Sequence, residues 1–136
     1  MDGLLLAPYH SGLLALLALA ALMVVQFAVA DLTGIRAKHE PGTPVAGGHG
    51  SFLFRATRTY ANSNENLGLL LLLVVVCFFT AAAAPGVNAL LWGYFAARVA
   101  YTVCYYADWR TLRSIVFGLG ALAQVGLLIL AVAAVY

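Results

Sequence analysis

The sequence predicts an all-α integral membrane protein folded as a four-helix bundle. Three observations carry this reading: 64% of the 136 residues are hydrophobic against 9% charged, three long runs contain no Asp, Glu, Lys or Arg, and a Pro-Gly pair divides the second run. Mean hydropathy is +0.96. Soluble domains carry about a quarter charged residues, and a chain this short still exposes much of its surface when folded. Lipid is therefore the expected solvent for most of the chain.

The charge-free runs cover residues 3–30, 66–97 and 114–136. A helix needs roughly 20 apolar residues to cross the hydrocarbon core, so the first and third runs provide one span each. The second is too long for one span. Pro85-Gly86, following Ala81 to Ala84, is expected to turn the chain there, because proline lacks a backbone donor and glycine is permissive. The expected spans are 10–32, 64–84, 87–107 and 112–135, in a single domain over residues 1–136. The first is read as a retained helix, since Met1 to His10 holds no Lys or Arg and the apolar run exceeds a signal-peptide core.

Between the first two spans, residues 35–51 contain Glu40-Pro41-Gly42-Thr43-Pro44 and Gly47-Gly48-His49-Gly50, which is turn and linker chemistry. No phosphate-cradling pattern follows the glycines. His39 and His49 in this segment are expected to be solvated, and from Phe52 the chain reads as a helix that starts in water or headgroups and enters the membrane.

The basic residues set an orientation. Arg36, Lys38, Arg55 and Arg58 belong to the first connection and its flanks, Arg110 and Arg113 to the last, and Arg98 lies within the third span. By the positive-inside rule both charged connections face the cytoplasm and both termini face outward; a bacterial inner membrane is the expected location. Net charge is only +2, and without a basic soluble domain nucleic-acid binding is excluded. Cys77 and Cys104 fall within spans and read as small buried hydrophobes, and no metal-ligand spacing occurs.

Polar residues inside apolar spans carry the chemistry. A charge at a helix centre costs on the order of 2.5–3.5 kcal/mol on insertion scales, so intramembrane ionisable groups point to function. Glu65 follows Arg55 by ten residues and Arg98 precedes Asp108 by ten. At about 1.5 Å per residue, both lie roughly 15 Å from the charged face, and an ion pair between them is expected. Arg55, Arg58, Asn62 and Glu65 share one helical stripe by steps of three, four and three; Tyr94, Arg98, Tyr101 and Tyr105 share another by four, three and four. Facing each other, the stripes would line an electropositive cleft suited to a small carboxylate, which arginine binds in bidentate fashion. Arg113 and Arg36 or Lys38 would close its mouth.

The same residues admit plainer roles. Arg36, Lys38, Arg110 and Arg113 can anchor helices to headgroups, Tyr94, Tyr106 and Trp109 can be packing or interfacial aromatics, and Glu65–Arg98 can be purely structural. Gly93 with Ala97, and Gly118, Gly120 and Gly126, read as helix-packing positions; Gln26 and Gln124 read as inter-helix hydrogen-bonders.

Two segments resemble the membrane-associated proteins in eicosanoid and glutathione metabolism, the MAPEG family. Arg58-Thr59-Tyr60-Ala61-Asn62-Ser63-Asn64-Glu65-Asn66 is similar to the family's Arg-x-x-x-Asn-x-x-Glu segment entering the second helix. Arg98-Val99-Ala100-Tyr101-Thr102-Val103-Cys104-Tyr105, followed by Arg113-Ser114, is similar to its third- and fourth-helix signature. The resemblance implies a homotrimer in the lipid bilayer, with glutathione as co-substrate between subunits. It also implies glutathione-binding or supporting roles for Asn62, Glu65, Arg98, Tyr101 and Tyr105; Arg58, in the same motif, joins the substrate-binding set. Arg113 would be catalytic, stabilising the glutathione thiolate, and Arg36 would lie near a lipophilic second substrate. Aligning Tyr105 with Arg113 needs a one-residue gap, so Arg110 is a rival for that role. Ala61 and Phe117 stand where the prostaglandin-synthesising branch carries arginine and tyrosine, which argues against a specialised eicosanoid synthase. The implied function is a glutathione-dependent transferase or peroxidase for lipophilic electrophiles; the alternative is a non-catalytic relative that binds another anion or a lipid. A transporter is disfavoured, because four short helices leave little room for inverted repeats.

Overall fold

The computed structural model describes residues 6–136. Residues 3–5, where the first charge-free run begins, and the expected outward terminus lie outside the described residues. Four helices follow one another: α1 (His10–Arg36), α2 (Phe52–Phe79), α3 (Ala84–Tyr106) and α4 (Arg110–Val135), with 3-10 turns at Ala7–Tyr9 and Gly48–Gly50. Among the described residues there is no strand, so the all-α bundle stands.

Three of the helices, α1, α2 and α4, are long and apolar enough to cross a membrane. Their outer faces are apolar: Leu17, Val24 and Ile35 of α1 are each 66% exposed, and Leu122 and Ile129 of α4 are 65% and 61% exposed. So broad an apolar exterior is foreign to soluble monomers and marks a membrane-facing surface. Helix α3 differs. Like α2 it contacts all three other helices, but its buried residues include Tyr94, Arg98, Tyr101, Thr102 and Tyr105. Its polar groups lower its hydropathy because they face inward.

The core sits in the half of the bundle away from the charged connections. Leu70, Leu73, Val74 and Cys77 of α2 pack with Val87 and Leu91 of α3, Ala123 and Leu127 of α4, and Ala15 and Leu19 of α1. Both cysteines are free and buried. Gln26, completely buried, donates to Thr102 Oγ1 at 2.7 Å, and Gln124 donates to the Asn66 carbonyl at 3.2 Å. Gly120 lies against Tyr94 and Ala97, and Gly126 against Leu90, whereas a side chain at Gly93 or Gly118 would meet open space.

Helix α2 begins at Phe52, where Ser51 Oγ accepts from the Phe54 amide, and ends at Phe79. The reversal that follows lies in residues 80–83, with Ala81 at φ +52°, and Pro85 falls in the first turn of α3. The expected Pro-Gly turn is thus corrected. An early helical position already lacks an intrahelical partner for its amide, so proline starts this helix rather than interrupting the chain. At the opposite end Asp108 takes φ +57°, a left-handed conformation that aspartate tolerates, and swings the chain from α3 into α4.

Candidate functional site

The α1–α2 connection and the α3–α4 turn lie at one end of the bundle. Arg55 Nε, on α2, donates to the Tyr106 carbonyl at the end of α3 at 3.3 Å, and Asp108 sits beside Arg110 at 3.3 Å. This end gathers the charge.

Arg98 is the deepest of these groups, 3% exposed. The expected pair with Glu65 is absent. Arg98 Nη1 donates to Asn62 Oδ1 at 3.0 Å and Nη2 to Ser63 Oγ at 2.8 Å, while its guanidinium lies 4.5 Å from the Tyr101 ring centroid. Glu65 instead accepts from Arg58 Nη1 at 3.1 Å on an exposed flank. The cause is the direction in which Glu65 points. At about 100° per residue, Glu65 points well away from Ser63, and the face of α2 turned into the bundle is Ala56, Thr59 and Ser63. The stripe of Arg58, Asn62 and Glu65 borders that face, with Asn62 at its inner margin and half-buried.

On α3 the second stripe faces inward throughout. Tyr94, Tyr101 and Tyr105 are 4%, 5% and 6% exposed, and Tyr101 meets Tyr105 edge-on at 5.4 Å. The guanidinium groups of Arg98 and Arg113 lie 4.5 Å from the Tyr101 and Tyr105 ring centroids respectively, so two cations flank this pair of rings.

A cleft of about 250 Å³ opens there, lined by Asn62, Tyr101, Arg113, Ser114 and Phe117. Of the expected site residues it brings together Asn62, Tyr101 and Arg113. Arg98 and Tyr105 lie directly behind this wall, through Asn62 and Arg113 respectively. Arg58 and Glu65 are paired at its flank, and Arg36 is exposed at the end of α1, outside the lining. Arg113 is held with its guanidinium 4.5 Å over the Tyr105 ring. Arg110 is turned to Asp108, its side chain 65% exposed, and does not line this cleft. The Arg110 hydrogen bond holds the Asp108 carboxyl below its usual range, with the positive field of Arg110 and Arg55 acting in the same direction.

Four residues in or behind this wall are not among the expected site residues: Ser63, Ser114, Phe117 and His49. Ser63 holds Arg98. Phe117 forms part of the lining and packs 6.0 Å from Tyr101. His49, expected in solvent, is half-buried, with its ring 5.3 Å from Phe54 and 5.8 Å from Tyr105 and its Nδ1 3.3 Å from Arg113 Nη1. Ser63 had a signal, the small-residue spacing Ala56, Thr59, Ser63; a glycine-rich loop offers no periodicity that would have placed His49.

A second, larger groove of about 390 Å³ lies between α1 and α2 under the first connection, lined chiefly by apolar groups including Phe27, Ala30, Ile35, Leu53 and Tyr60. No cluster of potential metal ligands occurs among the described residues.

The model of one protein family, described as the MAPEG family, matches residues 9–133. No curated protein and no solved structure matches the chain.

Proposed function

We propose that this chain, which belongs to the MAPEG family, is a glutathione-dependent membrane transferase or peroxidase acting on lipophilic electrophiles. The observation that carries the reading is the placing of Arg113: its guanidinium is fixed over Tyr105 and lines a cleft with Asn62, Tyr101 and Ser114. Glutathione is an anion that carries two carboxylates and a thiol. Arginines bind carboxylates strongly, and a cation beside sulfur favours the thiolate over the thiol. Arg113 is the residue assigned to the sulfur. Asn62, Tyr101 and Ser114 supply polar contacts, and the Arg58–Glu65 pair at the flank offers both a cation and a carboxylate to the peptide's ends.

The thiol proton leaves to solvent. In transfer, the sulfur lone pair forms a bond to the electrophilic carbon and the leaving group departs with its electron pair. In peroxide reduction, the thiolate attacks the terminal hydroperoxide oxygen, the O–O bond breaks, and the alkoxide takes a proton from solvent to leave as the alcohol; a second glutathione thiol then displaces water from the sulfenic acid to give the disulfide.

Ligand pockets usually measure about 300–1,000 Å³, and the walls from one chain enclose about 250 Å³. We read the cleft as completed by a neighbouring copy in a homotrimer, with α3 crossing the bilayer as the fourth span, the charged end cytoplasmic and both termini outside. The α1–α2 groove, next to Arg36 in sequence, suits the lipophilic partner.

A second reading, a non-catalytic member that binds another anion or a lipid, is favoured by Phe117, whose ring takes part of the cleft wall against Tyr101. The test is turnover of glutathione with a lipophilic aryl halide and, separately, a lipid hydroperoxide, using protein in liposomes. The proposal expects turnover of one or both, and expects Arg113→Ala to lose about a hundredfold in kcat while binding glutathione within about threefold of the parent. A folded protein that turns over neither moves the assignment to the second reading.

A further inference from the structure

We propose that His49 is a positioning residue for Arg113: its neutral imidazole accepts a hydrogen bond at Nδ1 and holds the guanidinium in the cleft wall. The inference deepens the functional reading above by adding a residue to the same site.

Arginine has donors and no acceptor. The 3.3 Å approach of Arg113 Nη1 to His49 Nδ1 is therefore a hydrogen bond only when Nδ1 carries a lone pair, which requires the neutral ring with its proton on Nε2. The ring is seated for this. Phe54 meets it edge-on from α2, Tyr105 packs on it from α3, and Arg113 reaches it from α4. Its backbone is tied as well: the His49 carbonyl accepts from Arg55 Nη1, and the 3-10 turn Gly48–Gly50 leads directly to Ser51, which caps α2. Gly47 at φ +93° and Gly48 at φ +55° make the reversal that brings the ring back over the bundle end.

Without such a partner, an arginine one turn into a membrane helix would extend to the headgroups. Arg113 is instead gripped on two sides, by the Tyr105 ring and by the imidazole. The hydrogen bond from a ring nitrogen fixes the direction of the guanidinium plane, which stacking on Tyr105 alone does not.

The charged and titratable groups around His49 come from three helices and the α3–α4 turn. Arg55 faces it from α2 and Arg113 from α4; Tyr105 faces it from α3. Asp108, in the α3–α4 turn, is the carboxylate within electrostatic reach, and Arg110 already engages it. A protonated imidazole has no lone pair at Nδ1 and repels Arg113, so acidification that charges His49 releases the arginine.

The first test needs no turnover. The chain has three histidines, so 15N-histidine spectra of the protein in detergent are assignable, His49→Asn identifying the resonances of residue 49. The expected result is an Nε2-protonated ring whose Nδ1 resonance moves toward the free-acceptor position in Arg113→Leu. An Nδ1-protonated ring, or an Nδ1 resonance that is the same in both proteins, overturns the proposal. The second test is kinetic. Asparagine keeps an acceptor oxygen near the place of Nδ1, so His49→Asn retains kcat within about threefold and loses the acid limb of the pH profile. His49→Leu loses about tenfold in kcat with little change in KM for glutathione. Equal losses in both variants overturn the positioning role. A parent with no turnover defeats the transferase reading and leaves the spectra to decide the fate of His49.

Discussion

The two ends of the bundle use polar side chains in opposite ways. Away from the charges, polar groups close the structure. Tyr9 donates to the Ala82 carbonyl, Asn88 donates to the Pro8 carbonyl and accepts from the Gly12 amide, and Trp92 donates to Ser11. These contacts tie the start of α1 to α3 and to the α2–α3 turn. At the charged end polar groups are left over. Arg98 Nε, Gln26 Oε1 and Tyr106 Oη are buried without a partner, and a cleft opens on the Asn62 side of Arg98. Orphaned buried polar groups are costly, and protein structures tolerate them where a ligand or a catalytic task requires them. One end is closed by hydrogen bonds and the other holds unpaired polar groups, so on the proposed function substitutions at the two ends should separate stability from ligand affinity.

The largest effect on stability is expected at the closed end. A Cβ at Gly12 would lie 2.7 Å from Asn88 Oδ1 and 2.8 Å from a Leu91 methyl. Gly12→Val should destabilise the protein by about 3 kcal/mol through overpacking, read from denaturant unfolding in mixed micelles. A melt that matches the parent would show that the α1–α3 closure is loose. At the charged end, Arg98→Leu strips Asn62 Oδ1 and Ser63 Oγ of their donor, for about 2 kcal/mol, and disorders the cleft wall. Glutathione affinity should fall about tenfold or more. Unchanged affinity would remove Arg98 from the support of the site.

Tyr9→Phe should cost about 1 kcal/mol, since it deletes the hydroxyl that the Ala82 and Cys77 carbonyls share, and should leave ligand affinity untouched. A loss of affinity there would break the division between the ends. The smallest effect concerns Asp108. Its carboxyl is depressed in the folded protein by Arg110, so its contribution to stability is fully present above the ordinary aspartate range and disappears as pH falls through the lower folded value. Asp108→Asn should therefore melt slightly earlier than the parent near neutrality, and the difference should vanish as pH falls below the folded value. A difference that grows on acidification would reverse the sign.

The comparison also explains what could be read from the amino acids. Helix α3 was legible because Arg98, Tyr101 and Tyr105 stand out against an apolar background, and polar residues that enter a membrane helix must face inward. Helix α2 was only half legible. Arg58 and Glu65 drew attention as charges, yet the buried face near them is Ala56, Thr59 and Ser63, whose small and hydroxylated side chains resemble an ordinary surface. The ion pair consequently forms within α2, Arg58 to Glu65, rather than across to Arg98. Pro85 was visible as a break, but its preference for the first helical turn moved the reversal upstream. His49 was opaque because its position depends on the positive φ angles of Gly47 and Gly48 and on partners 56 and 64 residues away, relations that local pattern does not encode.

Calorimetry of glutathione binding to purified protein in detergent, with Tyr9→Phe and Arg98→Leu alongside, tests the central claim most directly. The account predicts binding by the parent, equal binding by Tyr9→Phe, and binding lost or weakened about tenfold in a folded Arg98→Leu. A folded parent that takes up no glutathione at millimolar concentration, or an Arg98→Leu variant that binds as the parent does, would contradict it.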